Sequence, residues 1–181
     1  MMDIFDVAVI GAGPAGSMAA KYAVKAGADT ILLEEHAGAG WPVQCAGLLG
    51  QEAMAESELS PGSHILHAVS GATVFSPCGA RLDFKAIVPK AWVVDRRLFD
   101  QALLRGAVAE GANLRLCTAV RQIRREKDSS ILSLAGGEEI EAKIVISTEG
   151  VSALLARRAG IAPPQMILSG AQVQVPFAVE D

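Results

Sequence analysis

The chain has 181 residues, 51% of them hydrophobic and 20% charged, and a net charge of −4 at pH 7. That is enough apolar material for one compact domain, while the acidic balance excludes the basic footprint of a nucleic-acid binder and no apolar run reaches the roughly eighteen residues of a membrane-crossing helix. Asp3 and Asp6 at the N-terminus exclude a basic leader segment, and Cys45, Cys78 and Cys117, odd in number and widely spaced, fit no metal-ligand spacing and read as reduced thiols of a cytoplasmic protein.

The first elements follow from Val7-Ala8-Val9-Ile10, a buried strand that breaks into Gly11-Ala12-Gly13-Pro14-Ala15-Gly16. Helical spacing from Ser17 to Ala26, a turn at Gly27 and a second strand, Thr30 to Leu33, complete a βαβ unit. Gly11 permits the tight turn, Gly13 the close approach of a pyrophosphate, and Gly16 the packing of the helix on the sheet; Ala20 is a further small packing residue. The helix N-terminus offers free N–H groups and about half a positive charge to an anion.

Glu34 closes the second strand about 20 residues after the glycine turn, where a carboxylate accepts hydrogen bonds from an adenosine ribose. Glu35 beside it, with no arginine at that position, argues against a 2′-phosphate and hence against NADP. The spacing alone leaves NAD and FAD open.

From His36 to Gly47 the chain is too rich in Gly and Pro for regular structure and reads as a functional loop over the same sheet edge as the glycine turn. Residues 48–60 predict a short helix. Two β-prone runs flanking Ser76-Pro77-Cys78-Gly79 predict a hairpin, followed by a strand at Trp92-Val93-Val94. Asp95 is the expected N-cap of a second helix with Leu98, Ala102 and Leu103 facing inward, ending at Gly111. A parallel strand follows over 112–117, with Cys117 in it. Arg121 to Ser130 reads as a solvated strand end and turn, then come a hairpin, a buried strand from Lys143 to Ser147, a helix from Ser152 to Ala159 and a β-prone segment from Met166 to Phe177.

Taken together, GAGPAG, Glu34, QCAG, VDRRLFDQALLRGAVAEGA and AKIVISTEGVSALLARRAGI resemble the geranylgeranyl reductase family of flavoproteins, related to the para-hydroxybenzoate hydroxylase group. The resemblance covers nearly the whole chain, and its most specific part is Cys-Ala-Gly after a Pro-containing loop. It implies an α/β, Rossmann-like FAD-binding domain with a parallel sheet and an inserted antiparallel β region. On this basis residues 1–165 form the FAD-binding domain, with a β-hairpin insertion about 62–94, and residues 166–181 begin a substrate-binding sheet.

The resemblance also implies FAD as cofactor and reduction of carbon-carbon double bonds in geranylgeranyl or related isoprenoid chains of lipids. Gly11, Gly13 and Gly16, with the adjoining Pro14 and Ala15, would hold the pyrophosphate, and Glu34, with Glu35, the ribose. Arg96 would lie against the cofactor, Ala119 and Val120 against the adenine, and Cys45-Ala46-Gly47 near the isoalloxazine and substrate. The reductant would be ferredoxin or NAD(P)H, and a lipid substrate would bring peripheral membrane contact. Where relatives carry Ala-Asp-Gly this chain has Thr148-Glu149-Gly150, keeping the acid, so Glu149 and Gly150 are placed in the same site. Family members are about twice this length and have a downstream Gly-Asp motif with no counterpart here, so the chain reads as the N-terminal part of such an enzyme.

Cys45 is the candidate catalytic residue, as proton donor or in positioning the alkene; the alternative is a small buried packing residue. His36 reads as a polar residue over the adenosine, His64 and His67 as surface residues, Trp41 and Trp92 as packing residues with the lining of an apolar pocket as the alternative, and Cys78 as a turn residue. Two other readings stand beside the reductase: an aromatic monooxygenase or halogenase of the same fold, and a non-catalytic dinucleotide-binding fragment.

Overall fold

A computed structural model describes residues 2–162, 164–173 and 175–176. In chain order these form β1 (Asp3–Ile10), α1 (Pro14–Lys25), β2 (Thr30–Leu33), β3 (Leu48–Gly50), α2 (Gln51–Glu56), β4 (Ile65–Val69), β5 (Gly71–Phe75), β6 (Arg81–Lys85) and β7 (Ala91–Val94). There follow α3 (Arg96–Glu110), β8 (Asn113–Arg115), β9 (Val120–Arg125), β10 (Ser130–Leu134), β11 (Glu139–Ser147), a 3₁₀ turn (Gly150–Ser152) and α4 (Leu154–Arg158).

The main sheet has the order β8-β2-β1-β11-β10-β9. Its first four strands are parallel, and β10 and β9 add an antiparallel meander to the N-terminal half of β11. Val7, Val9 and Leu32 pack under Ala20 of α1 and Leu104 and Ala107 of α3. On the other face Ala8, Ile10, Ile31 and Leu33 meet Leu132, Leu134 and Ile140 from the meander. Burial on both faces is why β1 and β2 are written as continuous apolar runs, and the expected α/β class with its parallel sheet is what forms.

The inserted antiparallel region is a three-stranded sheet, β3-β7-β4, and a separate β5–β6 hairpin. The Ser76 hydroxyl accepts from Ala80 N–H at 3.0 Å in the predicted turn. Alternation leaves Ala72, Val74, Leu82 and Phe84 on one face of this hairpin, all exposed, and Thr73, Arg81 and Asp83 on the other.

Several expectations need correction. Residues 48–60 open as a strand, because Leu48–Gly50 pair with β7, and only six residues are α-helical. In β11 the buried residues are Ile140 and Ala142, whereas Lys143 and Ile144 are exposed, since β10 covers the strand only up to Ala142. Arg121 to Arg125 are solvated as expected, all but Ile123 being exposed, but they belong to a full strand, β9, that pairs with β10 with a register shift at Arg121. The helix expected over 152–159 is a 3₁₀ turn and then a five-residue helix. Cys117 lies beyond β8 with φ of 52°. No strand occurs among the described residues of 166–176; the end of that expected segment, Phe177, lies outside the described residues.

Candidate functional site

The glycine turn does what its spacing predicts. Gly11 has a φ of +96°, and a Cβ there would sit 2.6 Å from the Thr148 carbonyl oxygen. A Cβ on Gly16 would lie 1.8 Å from the Gly11 carbonyl oxygen and 2.5 Å from Thr148 Oγ1, so α1 docks on its own turn only because residue 16 has no side chain. Gly13, the N-cap of α1, has open space to 4 Å where a Cβ would go, and no side chain caps the helix. The N-terminus of this twelve-residue helix therefore opens onto a concavity with no acid in its first turn.

Glu34 lies across this concavity at the end of β2 and is 7% exposed. Its Oε2 accepts from Ala12 N–H at 2.7 Å. Its Oε1 accepts from His36 N–H at 2.9 Å and meets His36 Nδ1 at 2.7 Å. The carboxylate is thus held by the turn it faces and still has acceptor capacity, since two oxygens offer about four lone-pair directions.

A groove of about 370 Å³ joins these parts. It brings together Gly11, Gly13 and Pro14 with Glu34 and Glu35, and takes in Ala119, Val120, Arg96, Asp100, Glu149 and Gly150. Ala119 and Val120 arrive beside Glu34 because backbone pairing continues past β8, Thr118 N–H donating to Glu34 O at 2.7 Å. Gly16 is buried beneath the turn, and Ala15 lines a second cavity instead.

Glu149 has a structural job as well. Its carboxylate caps α4, accepting from Leu155 N–H at 2.8 Å and Ala156 N–H at 3.0 Å, and takes the Ser147 hydroxyl at 2.6 Å. Burial works to raise its pKa, but the Ser147 hydroxyl and the backbone N–H groups of α4 outweigh it and hold the carboxyl below its usual range.

Arg96 stands between two cavities. One is the groove; the other, about 410 Å³ and largely apolar, is lined by Ala15, Met18, Leu49, Phe99 and Leu103. Its guanidinium binds Asp100 through two bonds, Nε to Oδ1 at 2.9 Å and Nη2 to Oδ2 at 3.0 Å. Asp100 foremost, and then the Cys45 side chain, raise the Arg96 pKa against the opposing effect of burial. Cys45 itself is half-buried and Ala46 exposed; with Gly47 they lie outside the groove lining.

Three features were not expected. Trp41 is 62% exposed and lines the groove, while Trp92 packs in an apolar cluster as expected. Arg121 also lines the groove, so the site has a cation beyond Arg96. His64 is buried at 6% exposure, edge-on to Phe99 at 5.9 Å, with Nε2 lacking a partner among the described residues; His67 is exposed. Asp100 also went unassigned, although its spacing of four from an arginine on a helix is a readable ion-pair signal.

Glycine turn, buried acid at the end of the second strand and a groove over the carboxyl ends of parallel strands define a Rossmann-type dinucleotide-binding flavoprotein domain. The chain belongs to the FAD binding domain family, whose model matches residues 5–180, and FAD is its cofactor. The open space at Gly13, the uncapped α1 N-terminus and the remaining acceptors of Glu34 fit that group. The chain is 36% identical over 168 residues to digeranylgeranylglycerophospholipid reductase of Methanosarcina acetivorans, covering 89% of this chain and 41% of that protein. It resembles the solved structure of a geranylgeranyl bacteriochlorophyll reductase-like protein from Thermoplasma acidophilum, with a TM-score of 0.79, 28% identity, and coverage of 88% and 43% of the two chains. A halogenase solved with phloroglucinol and FAD shares the fold at a TM-score of 0.68 and 18% identity, over 86% of this chain and 36% of that one. The chain thus spans less than half the length of these relatives. Among the described residues there is no cluster of metal-ligating side chains and no helix long and apolar enough to cross a membrane.

Proposed function

We propose that this chain is the cofactor-holding part of an FAD-dependent oxidoreductase that reduces carbon-carbon double bonds in the geranylgeranyl or related isoprenoid chains of lipids. The observation that carries the reading is the groove that unites Gly11, Gly13 and Pro14 with Glu34 and Arg96. The names of its relatives supply the substrate class. Gly11, Gly13 and Pro14 form the pyrophosphate cradle, with Ala15 and Gly16 behind it letting α1 dock on the turn, Glu34 and Glu35 take the ribose, and Ala119 and Val120 lie on the adenine. Arg96 and Cys45-Ala46-Gly47 face the flavin end, and Glu149 and Gly150 hold the rim between.

FAD held here, once reduced, would supply the hydride. Cys45 delivers the proton to the other alkene carbon from a half-buried position that limits access of water. Residues 1–165 form the cofactor domain and residues from 166 onward enter a substrate-binding sheet. The exposed Val173 and Val175, and the bare apolar face of Val74, Leu82 and Phe84, support that division because each offers apolar surface for further strands. The protein is placed in the cytoplasm, meeting its lipid at the membrane surface and drawing electrons from ferredoxin or NAD(P)H.

The test is absorbance after gel filtration with added FAD, followed by turnover of a digeranylgeranyl lipid by a chain of the relatives' full length. Retained flavin bands, and loss of lipid reduction in Cys45→Ala with flavin still bound, are expected. Oxygen consumption stimulated by an aromatic substrate, with no lipid reduction, would replace this reading by the monooxygenase or halogenase one.

A further inference from the structure

Trp41 is the largest side chain on the wall of the groove, and it is 62% exposed. No other Phe, Tyr or Trp lines the groove among the described residues. The backbone on either side holds the indole where it is. Gly40, immediately before it, has a φ of +75° and presses on the first turn of α3, where a Cβ would lie 2.8 Å from Arg96 O, 2.8 Å from Arg97 Cα and 3.2 Å from Asp100 Cβ. Pro42, immediately after it, bars the helical region to Trp41. Further on, the carbonyl of Gly47 accepts from Val94 N–H at 2.8 Å and closes the loop onto β7.

This wall of the groove consists of Gly40, Trp41 and Pro42 from the loop and Arg96 and Asp100 from α3. The two charged members are joined by two hydrogen bonds, Nε to Oδ1 at 2.9 Å and Nη2 to Oδ2 at 3.0 Å, so their charges answer each other. What the wall then offers a ligand is the face of an indole beside a matched ion pair. That chemistry suits a flat, largely uncharged ring system, which stacks offset on an aromatic face, better than a further phosphate. Pyrophosphate, ribose and adenine are served in the proposed function by the glycine turn, Glu34 and the chain at Ala119, and the isoalloxazine is the ring that remains.

From this placement we infer that Trp41 is a cofactor-contacting residue, the platform on which the isoalloxazine of FAD stacks. The assignment rests on FAD lying along the groove. It adds the residue that fixes the plane of the ring, and it makes Gly40 the seat of that residue.

The test is the emission of FAD bound to this chain, compared between variants at equal bound flavin after gel filtration, with far-UV circular dichroism to confirm folding. A stacked indole quenches flavin emission on contact by donating an electron to the excited ring, whereas phenylalanine stacks without donating. Bound FAD is expected to be dim in the parent and severalfold brighter in Trp41→Phe, with its affinity nearly kept. Trp41→Ala is expected to brighten it as well and to weaken FAD at least about fivefold, while ADP, which has no isoalloxazine, binds as in the parent. Trp92→Phe, altered in an apolar cluster instead of the groove, is expected to leave emission unchanged. Equal emission from the parent and Trp41→Phe, or an equal loss of ADP and FAD in Trp41→Ala, would overturn the inference. A parent that takes up ADP but no FAD loses the flavin assignment and this inference together, whereas retained FAD whose emission ignores Trp41 loses this inference alone.

Discussion

Oε2 of Glu34 accepts the N–H of Ala12 at 2.7 Å, tying the end of β2 to the middle of the glycine turn across 22 positions of sequence. The acid expected to serve a ribose is therefore also a brace for the glycine turn. Glu34→Ala leaves the buried Ala12 N–H without a partner, and a stability loss of about 1–3 kcal/mol is expected in urea unfolding. Loss of flavin affinity with an unchanged unfolding midpoint would mean that the brace contributes nothing to the fold.

Gly13 and Gly16 separate binding from folding. Gly13→Ala places a methyl in open space, so its melting temperature is expected near that of the parent while FAD affinity falls at least about tenfold, ~1.4 kcal/mol. Gly16→Ala drives a Cβ into the Gly11 carbonyl and is expected to cost about 1–3 kcal/mol of stability or more. Melting curves and flavin fluorescence titrations on the two variants should show opposite patterns, and a stable Gly16→Ala protein would contradict the packing.

Because the folded-state pKa of Glu149 is held below the ordinary carboxyl value of 4.5, its ionised form favours the folded chain. The contribution is complete above that value and disappears as pH falls through the lower folded value. Relative to Glu149→Gln, the parent is expected to be more stable at pH 7, with the difference shrinking below about 4.5. Urea midpoints across this range check it, and a difference that grows on acidification would reverse the sign.

Asp95 accepts from the N–H groups of Arg97 at 2.9 Å and Leu98 at 3.3 Å, capping α3. Asp95→Ala is expected to lower stability by about 1 kcal/mol. Since α3 carries Arg96 and Asp100, the same variant should also weaken flavin retention. Thermal unfolding and gel-filtered absorbance measure the two effects on one sample.

The parts of this chain that were readable in its sequence are those decided by neighbours along the backbone. The glycine turn, the Asp95 cap, the Gly111 stop with φ of +118° and the Ser76–Gly79 hairpin turn each depend on local dihedral freedom and short-range hydrogen bonds. What escaped depends on the angle at which an element is laid down. Leu98 and Ala102 were expected to face inward with Leu103, whereas Phe99, Asp100, Leu103, Leu104 and Ala107 are buried. That is a rotation of about one residue, roughly 100° on a helix, and adjacent Leu98 and Phe99 give no basis for choosing. The rotation brings a carboxylate inward at position 100, which apolar patterning counts against. His64 escaped for a related reason: its burial depends on Phe99, brought beside it only when β4 pairs with β7. Cys45 was placed by resemblance, but the loop that carries it is seated on the start of α3 through Gly40, where a Cβ would lie 2.8 Å from Arg96 O, and the composition of the loop does not distinguish that glycine from its others.

The register of β1 on β11, with Asp3 beside Ile140 and Ile10 beside Ser147, also has a meaning in time. During synthesis β2 can pair with one edge of β1 early, but the strand for the other edge emerges roughly 130 residues later, which at about 5–20 residues per second is on the order of ten seconds. Through that interval the stretch Val7-Ala8-Val9-Ile10 stands with an unpaired edge and an uncovered face. The nascent chain is therefore most open to chaperone capture before β11 has left the ribosome, and synonymous codon changes that slow translation between β2 and β11 should lower the soluble yield of an otherwise identical protein.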